Sequence, residues 1–275
     1  MYIKQLNQIK KEDIVLVGGK GLALGEMLKA GFPVPDGFVI TTNAYKEFHK
    51  QELPLLFIEE INKAFESLKS DRVAVRSSAI AEDSLTASWA GQLDSYLNVT
   101  KEHLVENIKK CWNSIYSTRA KSYVEQQEIS KDKQLVAVVV QKMINSEAAG
   151  VIFTQNPVTN NANEIVIESC YGLGELLVQG SVTPDNFIVS KDSLTIRDYL
   201  PHDQKQMLTH KEGKQKYSDI PDKQRKQPSI SKEQVKSLVE FSKEIENYFG
   251  MPQDIEWAIE NEKIYILQSR PITTA

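Results

Sequence analysis

Lysine, arginine and carboxylate side chains stand in this sequence in settings that suit phosphate and metal chemistry. Lys20 lies in Gly18-Gly-Lys-Gly, ahead of an amphipathic stretch. A turn entering a helix can hold an anion on its N-terminal N–H groups, with the ammonium as a point charge. The run is not a P-loop, because the spacing and the following Ser or Thr are absent. A tight turn carrying a solvated lysine also accounts for it. Arg76 follows Val73-Ala-Val, reads as the end of a buried strand, and leads into small and polar residues that include Gly91. A guanidinium fork beside a loop with accessible N–H groups suits a polyphosphate. A surface loop with Arg76 paired to Glu82 or Asp83 fits the same residues.

The third setting lies near the C-terminal end. Asp254 and Glu256 share one face of a strand by alternation, and Gln268 and Arg270 share one face of the next. Ile255, Trp257, Leu267 and Ser269 are expected to point the other way. Two carboxylates, an amide and a guanidinium suit a hydrated divalent metal on phosphates, since Mg²⁺ takes one or two carboxylates plus substrate oxygens at roughly 2.0–2.1 Å. A solvent-facing, salt-bridged hairpin edge is the other reading.

The elements that must position these residues follow from periodicity. Strands are expected at Ile14–Val17, Gly37–Thr41, Val73–Val75, Tyr96–Val99, Leu135–Met143, Gly150–Thr154, Glu164–Ser169 and Pro184–Ser190. The run from Leu135 is apolar through six residues, so both of its faces should be covered. Helices are expected at Leu22–Ala30, at Asn43–Lys50 capped by Thr42, at Ile58–Leu68, and at Lys101–Gln127 capped by Thr100. Leu104, Ile108, Trp112 and Ile115 form the buried stripe of the last. A Gly-rich turn at Tyr171-Gly-Leu-Gly places Glu175 in the first turn of another helix. Residues 202–230 read as exposed loop with one or two short strands. Ser231 and Gln234 make a capping box for a helix ending near Phe249, stopped by Gly250 and Pro252. A hairpin closes the chain, with its turn at Glu260-Asn-Glu.

A length of 275 residues allows one large domain or two small ones. The formal net charge of −4 argues against a nucleic-acid footprint. No apolar run reaches the length of a membrane span, and the N-terminus lacks a secretory core. Cys111 and Cys170 stand far apart and in no metal spacing, so a reduced, cytoplasmic compartment is expected, with both thiols buried. His49, His103, His202 and His210 sit in no local motif and read as surface or packing residues.

Several stretches together resemble one family. They are Val17-Gly-Gly-Lys-Gly with Leu24-Gly-Glu-Met, Pro33-Val-Pro-Asp-Gly-Phe, Val75-Arg-Ser-Ser-Ala with Glu82-Asp, and Ala90-Gly-Gln. Val140-Gln-Lys-Met, Gly150-Val-Ile-Phe-Thr with Asn156-Pro, Gly172-Leu-Gly-Glu, and Asp254-Ile-Glu-Trp-Ala with Gln268-Ser-Arg-Pro-Ile complete the set. In order, from about residue 14 to residue 273, they resemble the nucleotide-binding domain of pyruvate phosphate dikinase, phosphoenolpyruvate synthase and rifampicin phosphotransferase. The resemblance implies an ATP-grasp-like α+β architecture with ATP between two lobes. Residues 1–190 would form the phosphate loops and the adenine-side strand, and 191–275 would complete the domain with the metal-binding hairpin.

Carried over position by position, Lys20, Arg76 and Arg270 would be the catalytic cations on the phosphates. Gly91, Gln92 and Ser95 would lie in the phosphate-covering loop; Ser95 departs from a common Thr but keeps the hydroxyl. Gln141, Lys142, Met143 and Ile144 would face adenine. Glu256 and Gln268 would hold Mg²⁺ and phosphate, with Glu175 and Asp254 in support. The family implies a histidine on a following, swivelling domain as phosphoryl acceptor, and the sequence ends at Thr273-Thr-Ala with no such histidine motif. The expectation is a MgATP-dependent phosphotransferase domain working with a histidine-bearing phosphocarrier domain or chain. The alternatives are a non-catalytic nucleotide-binding module and the ATP domain of a rifampicin-type phosphotransferase.

Overall fold

The structure is a computed structural model describing residues 1–80, 93–126, 130, 134–211 and 214–272. The chain divides into two compact units, Met1–Met143 and Ile144–Ala275. The line drawn in sequence after residue 190 falls inside the second unit, between two paired strands. Both units are antiparallel sheets with helices, the α+β class that the ATP-grasp-like expectation requires.

The first unit runs β1 (Ile3–Gln5), α1 (Ile14–Lys29), β2 (Gly37–Ile40), α2 (Thr42–Phe48), α3 (Leu55–Ser67), β3 (Val73–Ala79), β4 (Ser95–Val99), α4 (Lys101–Asn113), α5 (Thr118–Gln126) and β5 (Val136–Lys142). Its sheet order is β1-β2-β5-β3-β4. The apolar strand from Val136 is central, which is why it is apolar on both faces. On one face Val73, Val75, Ala79, Val136, Val138 and Val140 join a core with Phe57, Ile61, Ile108 and Trp112 of α3 and α4. The other face of β3 and β5 packs α1.

Several expectations give way here. Ile14–Val17 is the first turn of α1, not a strand: Val15 is exposed and Val17 buried. A four-residue apolar run does not distinguish the two states. Gly18 then departs from helical geometry at φ 71°, ψ 174°, and the helix restarts behind it. Arg76 lies within β3, not at its end. Thr41, not Thr42, is the N-cap of α2, and the Thr42 hydroxyl donates to the Val15 carbonyl at 2.7 Å. The long helix expected from Lys101 is broken by a 3-10 turn at Ser114–Tyr116. Ser114 Oγ donates to the Cys111 carbonyl, and Ser117 Oγ accepts from Ala120 N–H to start α5. The stripe of Leu104, Ile108, Trp112 and Ile115 is buried as expected.

The second unit runs β6 (Ala148–Phe153), β7 (Glu164–Tyr171), α6 (Glu175–Val178), β8 (Asp185–Ser190), β9 (Ile196–Leu200), β10 (Gln206–Lys211), β11 (Lys214–Asp219), α7 (Lys232–Phe249), β12 (Gln253–Glu260) and β13 (Lys263–Pro271). Its main sheet is ordered β13-β12-β6-β7-β8-β9, with β10-β11 as a separate hairpin. Asp185 anchors the excursion that carries this hairpin. One carboxylate oxygen accepts from His202 N–H at 3.0 Å, and the other from Ser229 N–H at 2.8 Å. Helix α7 begins with the expected Ser231–Gln234 capping box and ends at Gly250 in the left-handed conformation. It packs on β12, whose Ile255, Trp257 and Ile259 are buried. Gly150 pairs with Trp257, and a Cβ there would meet the Glu168 carbonyl at 1.9 Å and the Trp257 ring at 2.8 Å. Only glycine lets these strands close over the indole.

A buried carboxylate ties the N-terminal turn of the first unit together. Asp13 accepts from the Lys4 ammonium and from Lys10 N–H at 2.7 Å. Burial pushes its pKa up, but the Lys4 and Lys10 bonds outweigh it and hold the carboxyl below its ordinary 3.8. A depressed acid stabilises the fold above its unfolded value and loses that contribution as pH falls through the folded one. Asp13→Asn should therefore cost about 1–3 kcal/mol at pH 7. The gap in Tm between the two proteins should close below about pH 4. Thermal melts across that range check it, and a gap constant with pH would refute it.

Candidate functional site

In the first unit the expected site residues converge on one face of the sheet. Arg76 and Ser78 alternate with Ser77 along β3, so Arg76 and Ser78 point to the α1 side and Ser77 to the α4 side. Ser77 Oγ accordingly donates to the Asp94 carbonyl at 3.0 Å and lies 3.3 Å from Ser114 Oγ. Arg76 sits directly opposite Ser95 on β4 and Val139 on β5, and Ala74 opposite Gln141. Directly opposed residues share a face, so Arg76, Ser95 and Gln141 lie together there. Lys20 comes to the same strand from α1, its ammonium donating to the Ser77 carbonyl at 2.9 Å. Lys20 is 7% exposed and Arg76 9%, so two cations are buried in one region.

One amide of the turn at Gly18 is already taken. Gly21 N–H, one of the first amides of the restarted helix, donates to Ser78 Oγ at 3.1 Å in a buried setting. That amide is therefore not offered to an anion, and the turn brings the Lys20 side chain to β3. Gly91 and Gln92 lie outside the described residues. Of the expected adenine-side residues, Gln141 is buried, while Lys142 belongs by alternation to the opposite face. Their strand end is held by Lys142 N–H on the Asp36 carbonyl and Met143 N–H on the Arg72 carbonyl. Ile144 falls in the second unit, against Ala149 and Ala258.

In the second unit the closing hairpin pairs in the expected register. Glu256 faces Gln268, and Asp254 faces Arg270. A β-bulge follows Glu256, so that Trp257 pairs with Ile266. Leu267 becomes the extra residue and packs with Ala149, Ala258 and Tyr265. It therefore does not share the Trp257 face as alternation alone predicts. Arg270 Nε donates to Asp254 Oδ2 at 2.8 Å, and its Nη2 reaches the same oxygen. The row continues across the sheet, where Glu256 pairs with Val151 and Val151 with Glu168. Three carboxylates and a guanidinium thus share one face. Burial raises the Asp254 pKa; Arg270 opposes the rise and Glu256 adds to it. Burial also raises the Glu168 pKa, with Asp254 adding to it.

Glu256 and Gln268 offer hard oxygen donors side by side, the chemistry Mg²⁺ selects. Among the described residues no group of three or more His, Cys, Asp or Glu could hold a metal. A metal here would take its remaining ligands from phosphate and water. Glu175 stands apart from this face, its carboxylate accepting from Gln179 and from Gln215 of β11. His49 is stacked on Tyr45 with Nδ1 at the Tyr45 carbonyl, and His103 Nδ1 lies at Thr100 Oγ1. His49 packs and His103 lies on the surface, the two roles expected of the histidines.

Two residues at these sites were not singled out from sequence. Ser78 could have been found from its position two residues after Arg76, on the same face. Glu168 carries no local signal, because its place in the Glu256 row depends on the β6–β7 register.

The chain matches the family described as pyruvate phosphate dikinase, AMP/ATP-binding domain, over residues 14–53 and 48–275. It is 38% identical to a probable phosphoenolpyruvate synthase of Methanocaldococcus jannaschii, covering 99% of this chain and 27% of that protein. It is 40% identical to one from Archaeoglobus fulgidus, covering 100% and 42%. It is 36% identical to the rifampicin phosphotransferase of Bacillus cereus, covering 99% and 36%. The chain thus spans less than half the length of each of these relatives. The first alignment runs over 317 residues, so that relative carries residues this chain of 275 lacks. Among solved structures, D-alanine–D-alanine ligase of Bacillus anthracis complexed with ATP aligns at TM-score 0.39 and 8% identity, covering 92% of this chain and 55% of that one. The Helicobacter pylori ligase aligns at 0.37 and 13%, covering 93% and 54%. These structural likenesses are too loose to bear on the site.

The pairing of Glu256 with Gln268 predicts a selective effect. Glu256→Gln should weaken the Mg²⁺ dependence of nucleotide binding by about tenfold, the scale of one charge-assisted contact. The nucleotide-free Tm should stay within ~1 °C of the parent, because glutamine keeps the volume and the acceptor oxygen of Glu256. Titration calorimetry at several Mg²⁺ concentrations, with melts of the apo protein, separates this from a salt-bridge role, which would lower Tm and leave the Mg²⁺ dependence intact.

Proposed function

We propose that this chain, which belongs to the pyruvate phosphate dikinase AMP/ATP-binding domain family, binds MgATP and delivers a phosphoryl group to a histidine on a separate domain or chain. The observation that carries the reading is the burial of Lys20 and Arg76 on one face of the first sheet. An ammonium and a guanidinium gathered on one sheet face suit the oxygens of a polyphosphate, which accept charge-assisted bonds from both. Lys20 and Arg76 hold phosphate oxygens, and Ser95, opposite Arg76, adds a hydroxyl. Gly91 and Gln92 contribute to the phosphate-covering loop. The segment Gln141, Lys142, Met143 and Ile144 forms the adenine side, with the Lys142 side chain turned to the other face of the sheet. Glu256 and Gln268 hold Mg²⁺, which when bound neutralises charge on the phosphates. Arg270, held by Asp254, is the cation beside the terminal phosphates.

Phosphoryl transfer asks the protein mainly for positioning and electrostatic stabilisation, which these groups supply. It also asks for a nucleophile held in line, worth about 7–11 kcal/mol of barrier in well-oriented cases. None of the four histidines stands in a motif like the family's acceptor, and the acceptor histidine is read as supplied from elsewhere. The relatives named phosphoenolpyruvate synthase and rifampicin phosphotransferase support a phosphotransferase reading, and their greater lengths leave room for such a domain.

Two outcomes follow. Arg76→Ala should weaken MgATP binding by roughly ten- to a hundredfold, the loss of one charge-assisted contact of ~1.5–3 kcal/mol. Unchanged affinity in calorimetry would remove Arg76 from the site. With labelled ATP, residues 1–275 alone should bind nucleotide and turn it over little or not at all. Adding a family histidine domain, in trans or fused after Ala275, should yield AMP, a phosphohistidine and orthophosphate, with water taking the second phosphoryl group. Brisk ADP formation by the chain alone with a small-molecule acceptor would overturn the proposal.

A further inference from the structure

The Ser78 hydroxyl occupies an unusual place. It donates to the Val17 carbonyl at 2.8 Å and accepts from Gly21 N–H at 3.1 Å. In a continuous helix those two groups would bond to each other directly. Gly18 makes continuity impossible at φ 71°, and a Cβ there would meet the Ser78 carbonyl at 2.4 Å. The hydroxyl is thus inserted into the helix ladder at the break, a recognised way to kink a helix. The surroundings are sealed: Val17 and Ser78 are fully buried, and Gly18 to Lys20 are buried with them. Water therefore has no access to take over either bond.

The insertion sits within one turn of Lys20. The helix is opened over the residues that carry the ammonium, and the ammonium then reaches the Ser77 carbonyl, next to Ser78 on the same strand. Two consecutive residues of β3 thereby fix both ends of Lys20, its backbone through Gly21 N–H and its tip through the Ser77 carbonyl. We propose that Ser78 is a positioning residue for the phosphate-binding cation Lys20, holding α1 open at Gly18 so that the ammonium stays on the Arg76 strand. The inference rests on the MgATP reading above and deepens it. It assigns the second serine of Arg76-Ser-Ser a place in nucleotide binding without contact to the nucleotide.

The test is a double-mutant cycle in MgATP affinity by calorimetry at 20 °C, with Tm measured alongside. Ser78→Ala should weaken MgATP binding by about tenfold, the scale of one hydrogen-bonded group displaced. In a Lys20→Met background the same change should cost less than about twofold, because the residue it acts through is gone. A purely structural serine would lower Tm and leave affinity unchanged, or would give equal losses in both backgrounds; either result overturns the inference. If Ser78→Ala does not fold, Ser78→Cys keeps the volume with a weak hydrogen-bonding group and carries the same cycle. If the unaltered chain fails to bind MgATP, the functional reading falls and the inference with it. Binding by the unaltered chain with no Ser78 effect removes the inference alone.

Discussion

Arg76, Ser77 and Ser78 are consecutive, and all three are buried in β3 of the first unit. A polar side chain leaves water at a cost of roughly 1–3 kcal/mol unless it is hydrogen-bonded, so this strand dictates what may lie on either side of it. Ser77 turns to the α4 side and is met by the Asp94 and Cys111 carbonyls and by Ser114. Those contacts coincide with the break between α4 and α5, where Ser114 has already taken the Cys111 carbonyl. Ser78 turns to the α1 side and is met by a helix that has to open to receive it. The interruptions of the first unit's helices are thus the local consequence of a polar strand in the core.

The second unit solves a different problem. Its hairpin brings carboxylates together on one sheet face, and a half-buried carboxylate beside others resists ionisation. Asp254 relieves this by pairing with Arg270 across the strands. Glu256 stands opposite an amide, which offers an oxygen without adding negative charge. The β-bulge after Glu256 marks the change from this polar stretch to the apolar one at Tyr265 and Ala258. Behind it Gly150 admits the Trp257 indole, which anchors β12 in the core while the Glu256 side chain faces away from it.

Most strands, the α7 helix with its caps, and the closing hairpin could be read from the chain. Long apolar runs, capping residues and turn residues act within a few positions of themselves. The errors also share a cause. Ile14–Val17 is too short to declare its period, and Leu267 changed face because a bulge adds a residue that alternation cannot foresee. The helix expected through Ser114 breaks where that hydroxyl meets Ser77 of β3 as well as the Cys111 carbonyl, a long-range contact that the apolar stripe around it conceals.

The sequence by itself determined which residue types are available and in what local setting: Lys20 in a glycine turn, Arg76 on a strand, Glu256 and Gln268 on facing strands of a hairpin. Those assignments need only short-range periodicity. Tertiary structure decided that Lys20 reaches the strand of Arg76, that Ser78 enters the helix of Lys20, and that Glu168 shares a row with Glu256. Lys20 and Ser77 are 57 residues apart in the chain, and Glu168 joins Glu256 only through the register of two successive strand pairs. Contacts at such separation are fixed by which faces must be buried together, and no local pattern encodes that.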